Sequence, residues 1–253
     1  MKVILVLLLV ISCFGLQIDT IFVFRDGFLP RHIVGDGISG VYVVSGMRSE
    51  LVHIDGGEIR LRQSLPGEME IADITRSGLE IILASENTGE LLYFNKRLIH
   101  TGNTTLEYNN EEIFPSMIFA TASRRLFILD EFNSRLYIKD GDNIQFLRHT
   151  NSKKVGKYPK KNGIVLYDEK AELIFDIARS DSSIVLPDGF EADFFIANNR
   201  AIYSVSGKKL RIYYHNSNDI SNFVFSNSII DMDMSFGFLY LLSEKYIFRL
   251  AIE

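Results

Sequence analysis

Six copies of one short apolar pattern recur along the chain at near-constant spacing. Gly40–Arg60 and Glu80–His100 align without gaps at an offset of 40 residues. Val41, Val43, Ser45, Glu50, Leu51, Ile54 and Ile59 of the first copy meet Ile81, Leu83, Ser85, Glu90, Leu91, Phe94 and Ile99 of the second. Further copies read from Leu126 to Leu147, Gly163 to Ala178, Ala201 to His215 and Phe238 to Ala251. One equivalent apolar position per copy gives Leu51, Leu91, Leu136, Leu173, Leu210 and Ile247, at intervals of 40, 45, 37, 37 and 37. A period of this length means stacked supersecondary units, none of which buries its apolar face alone.

Each unit reads as strands. Leu91-Leu92-Tyr93-Phe94 and Leu210-Arg211-Ile212-Tyr213 are short, β-branched or aromatic, and bounded by Gly, Asn, Asp or Ser. No long window keeps a 3.6-residue apolar stripe, which argues against helices. In unit two the pattern predicts strands over Ile71–Thr75, Glu80–Ser85, Glu90–Asn95 and Leu98–Gly102, with turns at Ser77-Gly78 and Asn87-Thr88-Gly89. Four strands in about 40 residues is the signature of a propeller blade. The last unit supplies only three, over Ser228–Ser235, Phe238–Ser243 and Lys245–Ile252, while Asp19–Arg25 is a strand with no unit of its own. Pairing that strand with the last unit removes two free edges. The expectation is one all-β domain over 17–253: a six-bladed β-propeller with four-stranded antiparallel blades, its ring closed by the N-terminal strand. Pro30, Pro66, Pro115 and Pro187 lie just ahead of predicted inner strands, where a residue without an amide donor is tolerated.

The paired apolar strands Leu126-FILDEFNSRLYI and Ile81-ILASENTGELLYF resemble the six-bladed propellers of the NHL and TolB-like superfamily, over essentially the whole mature chain. The resemblance implies fold class and leaves activity open, because such rings serve as ligand-binding modules, assembly scaffolds and enzymes. The chain has no Trp. That absence removes the sialidase Asp box, the tryptophan-rich quinoprotein blade, Trp-Asp repeats and the Tyr-Trp-Thr-Asp blade. A metal-dependent lactonase of the six-bladed type has no local signature to test.

Residues 1–16 read as an address. Met1-Lys2 precedes the unbroken apolar run Val3–Ile11, too short for a bilayer that needs about 20 residues but fitting a secretory signal. Leu9-Val10-Ile11-Ser12-Cys13 resembles a bacterial lipobox, and Cys13 is the only cysteine. Lipidation at Cys13 and an ordinary cut that discards it both remain open. The expected location is the periplasm or, as Phe14 follows Cys13, the outer membrane as a lipoprotein; otherwise the chain is secreted. No disulfide can form within the chain, so packing alone must hold it. Its 19 Phe and 11 Tyr exclude disorder, and a net charge of −5 gives no reason to expect nucleic acid.

Candidate site residues fall into three groups. Ser45, Ser85, Asp130, Asp168, Ser204 and Ser243 end the predicted second strands; they form either a ring of oxygen ligands or ordinary turn residues. The loops ahead of the inner strands carry Arg31, His32, Glu68, Glu70, Asp188, Glu191 and Asp193, and the last inner strand carries Asp231 and Asp233. Lys153, Lys154, Lys157, Lys160 and Lys161 form a basic patch in unit four, suited to an acidic partner or lipid headgroups, or to keeping an exposed edge soluble. No nucleophile elbow, phosphate loop or His-x-x-x-His spacing is present. The leading expectation is therefore a non-catalytic binding or scaffold module of the bacterial cell envelope, with no cofactor evident and a divalent cation possible. Its loops would meet an envelope protein or a small polar ligand, as a monomer or within a complex, and it would touch membrane only through a lipid. The rival is a periplasmic hydrolase or lactonase with a divalent cation held at the channel mouth by some of Glu70, Asp130, Asp168, Asp193 and Asp231.

Overall fold

The computed structural model describes residues 17–252, apart from 26, 47–48, 67–68, 151–153, 160–161, 168–170, 176–181, 185, 187–189 and 218. Strand β1 (Ile18–Val23) leaves its sequence neighbours and pairs elsewhere. The next four strands form one antiparallel sheet: β2 (Pro30–Gly35), β3 (Val41–Ser45), β4 (Glu50–Asp55) and β5 (Glu58–Ser64). A second sheet holds β6 (Ile71–Ser77), β7 (Glu80–Ser85), β8 (Glu90–Asn95) and β9 (His100–Thr105). A small hairpin follows, β10 (Glu107–Tyr108) and β11 (Glu111–Glu112), turned by Asn109 and Asn110 at positive φ of 54° and 63°. This hairpin accounts for the long interval between Leu91 and Leu136. The third sheet is β12 (Met117–Ala120), β13 (Leu126–Asp130), β14 (Arg135–Asp140) and β15 (Asn143–His149).

The fourth and fifth units correct the expectation of six separate blades. Strands β16 (Lys154–Tyr158), β17 (Gly163–Tyr167), β18 (Ala171–Phe175) and β19 (Ser182–Ile184) make one antiparallel meander. A second consists of β20 (Phe194–Ala197), β21 (Ala201–Ser206), β22 (Lys209–Tyr214) and β23 (Ile220–Val224). The two are joined into one eight-stranded sheet, because inner strands β16 and β20 pair in parallel through Gly156↔Phe195 and Lys157↔Ile196. The ring thus has five large sheets. The physical reason is Gly156: a Cβ there would lie 2.2 Å from the Phe195 ring. Without a side chain, the two inner strands close to pairing distance.

The last sheet contains β24 (Ile229–Ser235), β25 (Phe238–Ser243) and β26 (Tyr246–Ala251), with β1 as its outer strand. Ile18 pairs with Leu250 and Val23 with Tyr246, so the N-terminal strand closes the ring. Every ladder of the ring lies between Ile18 and Ala251.

Position in the ring explains the burial pattern. Second strands such as β3 and β13 are buried at every residue because neighbouring sheets cover both faces. Outer strands β5 and β15 alternate exposed and half-buried residues. The apolar core is accordingly a set of layers between units. One packs Val44, Leu51, Ile74, Leu83 and Phe94 of the first two sheets, and another packs Ile33, Val43, Tyr240 and Ile247 across the closure. One backbone bond recurs after five of the outer strands: the next residue donates to a carbonyl just ahead of the third strand. Its instances are Leu65 to Ser49, Leu106 to Gly89, Thr150 to Ser134, Phe225 to Lys208 and Phe24 to Lys245. In unit two the outer strand begins at His100 rather than the expected Leu98, because Leu98 is buried in the turn at a φ of 59°.

Gly156→Val should destabilise the protein by roughly 1–3 kcal/mol, the usual cost of overpacking. A thermal melt checks this. In Phe195→Ala, which removes the ring the new side chain meets, the same substitution should cost clearly less.

Candidate functional site

The inner strands run parallel around the channel and are tied across units by side chains. Asp231 Oδ2 accepts the Ile33 amide at 2.8 Å, and Asp233 Oδ2 accepts the Gly35 amide at 2.8 Å. The same device joins the second and third units: Asp73 Oδ2 accepts the Ile118 amide at 3.0 Å and Thr75 Oγ1 the Ala120 amide at 3.1 Å. Asp231-Met232-Asp233 and Asp73-Ile74-Thr75 occupy equivalent register positions, opposite Leu242 and Ala84. A register shift precedes each key residue, between Pro30 and His32, Ile71 and Asp73, and Ile229 and Asp231. Bulges of this kind re-aim the next side chain. Here the three residues they precede converge.

One ligand atom from each of His32, Asp73 and Asp231 lies within 4.8 Å of the other two. His32 Nδ1 is 3.6 Å from Asp231 Oδ2. Lys157 of β16 reaches into the same group, its Nζ 3.6 Å from Asp73 Oδ1, with its side chain only 12% exposed. Three carboxylates, Asp73, Asp231 and Asp233, thus surround one ammonium. Burial would lower the Lys157 pKa, but the charges of those carboxylates outweigh it and hold the amine firmly protonated. Burial raises Asp233 to about 6 against the opposing field of Lys157 and the Gly35 amide. Asp73 is raised by burial too, with Lys157 opposing and the Asp231 charge reinforcing the shift. For His32 burial alone would act downward, yet contact with Asp231 and the charge of Asp73 leave it raised. Burial thus raises Asp73 and Asp233, while the neighbouring carboxylate charges raise Lys157 and His32.

A divalent cation does not fit this cluster as it stands. The trio has suitable donors, but the Lys157 ammonium already supplies the positive charge beside Asp73. A second cation beside it would face strong repulsion in a poorly solvated site. Each carboxylate oxygen of Asp73 and Asp231 also accepts a backbone amide, from Ile74 and Ile118 and from Met232 and Ile33.

The other expected residues are placed differently. Asp130 is fully buried as a turn residue, accepting the Asn133 amide at 2.9 Å and the Asn133 side-chain amide at 2.8 Å. Asp193 is exposed and accepts the Gly207 amide at 2.8 Å. Glu70 is exposed and meets Arg31 at 3.8 Å, away from the trio. These three are therefore corrected as channel ligands, because local turns and a surface ion pair hold them. The serine ring does not converge either. Ser85 Oγ donates to Asn87 Oδ1 within its own turn, Ser243 Oγ bonds the Tyr246 backbone, and Ser204 lies inside β21 rather than at its end. Lys157 is corrected from surface patch to channel residue, since its strand faces it inward. Cys13, Glu68, Lys153, Lys160, Lys161, Asp168 and Asp188 lie outside the described residues, as does the Lys154 side chain. Sequence reasoning missed Asp73. Its signal was present: a carboxylate in an apolar inner strand, aligned with Asp231.

A second feature sits where the loops ahead of the inner strands meet the second-to-third-strand turns. A cleft of about 320 Å³ between the first two units is lined by Arg31, Ser45, Ser49, Met69, Glu70 and Asn87 among others. Arg31 lies over Gly46, where a Cβ would come within 2.4 Å of its Nε.

Lys157→Met should destabilise the fold by roughly 3–5 kcal/mol, since it leaves the buried Asp73 and Asp233 and the partly buried Asp231 uncompensated. The loss in a denaturant titration should shrink at pH 5, where protonation replaces the missing charge. In the wild type, His32 and Asp233 bind protons more tightly folded than unfolded, where a carboxylate titrates near 3.9 (roughly). That contribution is complete below the unfolded values and is lost as pH rises through the folded ones. The melting temperature should therefore rise as pH falls from 8 to 5, and Asp233→Asn should flatten the dependence.

No family profile matches the chain, and no curated protein sequence matches it. Solved structures do. Virginiamycin B lyase from Staphylococcus aureus is 12% identical with a TM-score of 0.67, the match covering 94% of this chain and 99% of that one. A gluconolactonase from Xanthomonas campestris is 8% identical with a TM-score of 0.70, covering 94% and 90%. The BBS1N domain crystallised with ARL6DN is 15% identical with a TM-score of 0.56, covering 88% and 78%. At these identities the likeness establishes the β-propeller fold alone.

Proposed function

We propose that this protein is a non-catalytic binding module of the bacterial cell envelope, a ring with its channel closed by an ionic cluster and its loops free for a partner. The observation that carries this reading is Lys157, whose ammonium sits among Asp73, Asp231 and Asp233 and supplies the charge that a catalytic cation would bring. In this reading the eight-stranded sheet counts as two blades fused at their inner edges, giving six units in register with the six sequence repeats. The cleft between the first two units is the ligand surface. Arg31 and Glu70 offer opposite charges at its mouth, which suits a polar ligand or peptide carrying both signs.

Neighbouring folds in enzymes make the rival reading concrete: a hydrolase or lactonase using the His32, Asp73 and Asp231 trio. Titration calorimetry with Mg²⁺, Ca²⁺, Mn²⁺ and Zn²⁺, together with a panel of sugar lactones, separates the two. The expected result is no stoichiometric cation binding and no hydrolysis above the uncatalysed rate. One cation bound per chain, with lactone hydrolysis lost in Asp231→Asn, would overturn the proposal.

A further inference from the structure

Because the inner strands run parallel, the turns leading from inner to second strands all emerge on one face, opposite the cleft. Three of these turns, in adjacent units, end in large apolar side chains facing solvent. They are Phe236 at 72% exposure, Ile38 at 70% and Leu79 at 72%. The turns are fastened together. Ser235 abuts Gly35, where a Cβ would lie 2.2 Å from the Ser235 Cβ. Arg76 donates to the Gly35 carbonyl at 3.0 Å and to the Gly78 carbonyl at 2.7 Å, lying across Gly37. Around the ring, Ala122 donates to Asn162 Oδ1, Tyr158 to Asn199 Oδ1, and Asn198 contacts Met234 Sδ. The exposed apolar residues therefore stand on turns that are bonded to one another around the ring.

Folding alone does not account for Phe236. It holds a φ of 48°, a region that penalises a bulky side chain and favours Gly or Asn. Backbone strain and an exposed ring are both unfavourable, and no core cluster among the described residues includes Phe236. The corresponding turns of the third and fifth units carry exposed Arg124 and Arg200, with Glu80 exposed beside Leu79. The third-to-fourth-strand turns of the same face add exposed Lys96 and Arg97 and exposed Glu58, Asp140, Asp142 and Asp219. Asp36, in the turn of Ile38, is paired with His53 at 3.0 Å. The chain also enters the ring here. Ile18 pairs with Leu250, and the Ile252 amide donates to the Gly237 carbonyl, next to Phe236. The apolar run Val3–Ile11 and Cys13 thus precede a strand that starts at this face.

We propose that this turn face is a lipid-docking surface, with Phe236, Ile38 and Leu79 entering the headgroup boundary of an anionic membrane and Arg124 and Arg200 meeting its phosphates. Exposed apolar side chains on adjacent turns suit a fluid apolar medium, and the flanking arginines suit anionic headgroups. The inference is independent of the proposed ligand cleft on the other face.

The test uses the chain from Gln17, which keeps every strand of the ring and omits the apolar leader. Co-sedimentation with phosphatidylcholine vesicles, with and without phosphatidylglycerol, measures partition. Binding is expected to the anionic vesicles and to weaken with added salt. The triple variant Ile38→Ser, Leu79→Ser, Phe236→Asn should bind at least about tenfold less, since one buried side chain of this size is worth roughly that factor. Its melting temperature should be no lower, because Asn suits the positive φ that Phe236 occupies. Arg124→Gln with Arg200→Gln should remove the preference for anionic lipid. Failure of the wild type to bind either vesicle, or equal binding by the triple variant, would overturn the proposal. So would self-association of the wild type that the triple variant abolishes, which would assign the tips to a protein contact.

Discussion

A ring of sheets has an awkward centre. Apart from β16 and β20, each inner strand is paired on one side only, and its other edge presents backbone amides to the channel. Asp231, Asp233, Asp73 and Thr75 meet those amides from the neighbouring unit, so that Ile33, Gly35, Ile118 and Ala120 are satisfied by side chains. Between the fourth and fifth units no carboxylate does this work. Gly156 instead lets β16 approach β20 closely enough for direct backbone pairing. The two solutions are physically equivalent ways of avoiding unpaired buried amides, side chains serving the last-to-first and second-to-third junctions and backbone pairing the fourth-to-fifth.

The carboxylate solution has an electrostatic consequence. Burying Asp73, Asp231 and Asp233 around one channel concentrates negative charge where water is scarce. Lys157 answers it from the fourth unit, and His32 adds a titratable ring 3.6 Å from Asp231. The cluster that resembles a catalytic centre in composition is, in its connections, the means by which the inner strands are held together. A polar cleft lies on one face of the disc and three exposed apolar turn residues on the other.

Much of the architecture was legible. The spacing of Leu51, Leu91, Leu136, Leu173, Leu210 and Ile247 located the third strand of each unit. In unit two, the strands Glu80–Ser85 and Glu90–Asn95 match β7 and β8. The leftover Asp19–Arg25 segment pointed to closure by β1. The site was less legible. His32, Asp231 and Asp233 were identified, while Glu70, Asp130 and Asp193 were grouped with them because an acidic residue near a strand end reads alike whether it caps a turn or faces the channel. Lys157 looked like its neighbours Lys153, Lys154, Lys160 and Lys161, since a run of lysines carries no mark of which one points inward.

Local order was written in the sequence itself. Strand alternation, turn residues and repeat length act over a few residues, so they fix ladders, register within a unit and the closure of the ring. The three-dimensional structure alone decided what converges across the channel and which units share a sheet. Those outcomes depend on residues from separate units, Asp73, Lys157 and Asp231 in one case and Gly156 and Phe195 in the other. Their contact is set by how far the inner strands can approach, a distance that no local pattern encodes.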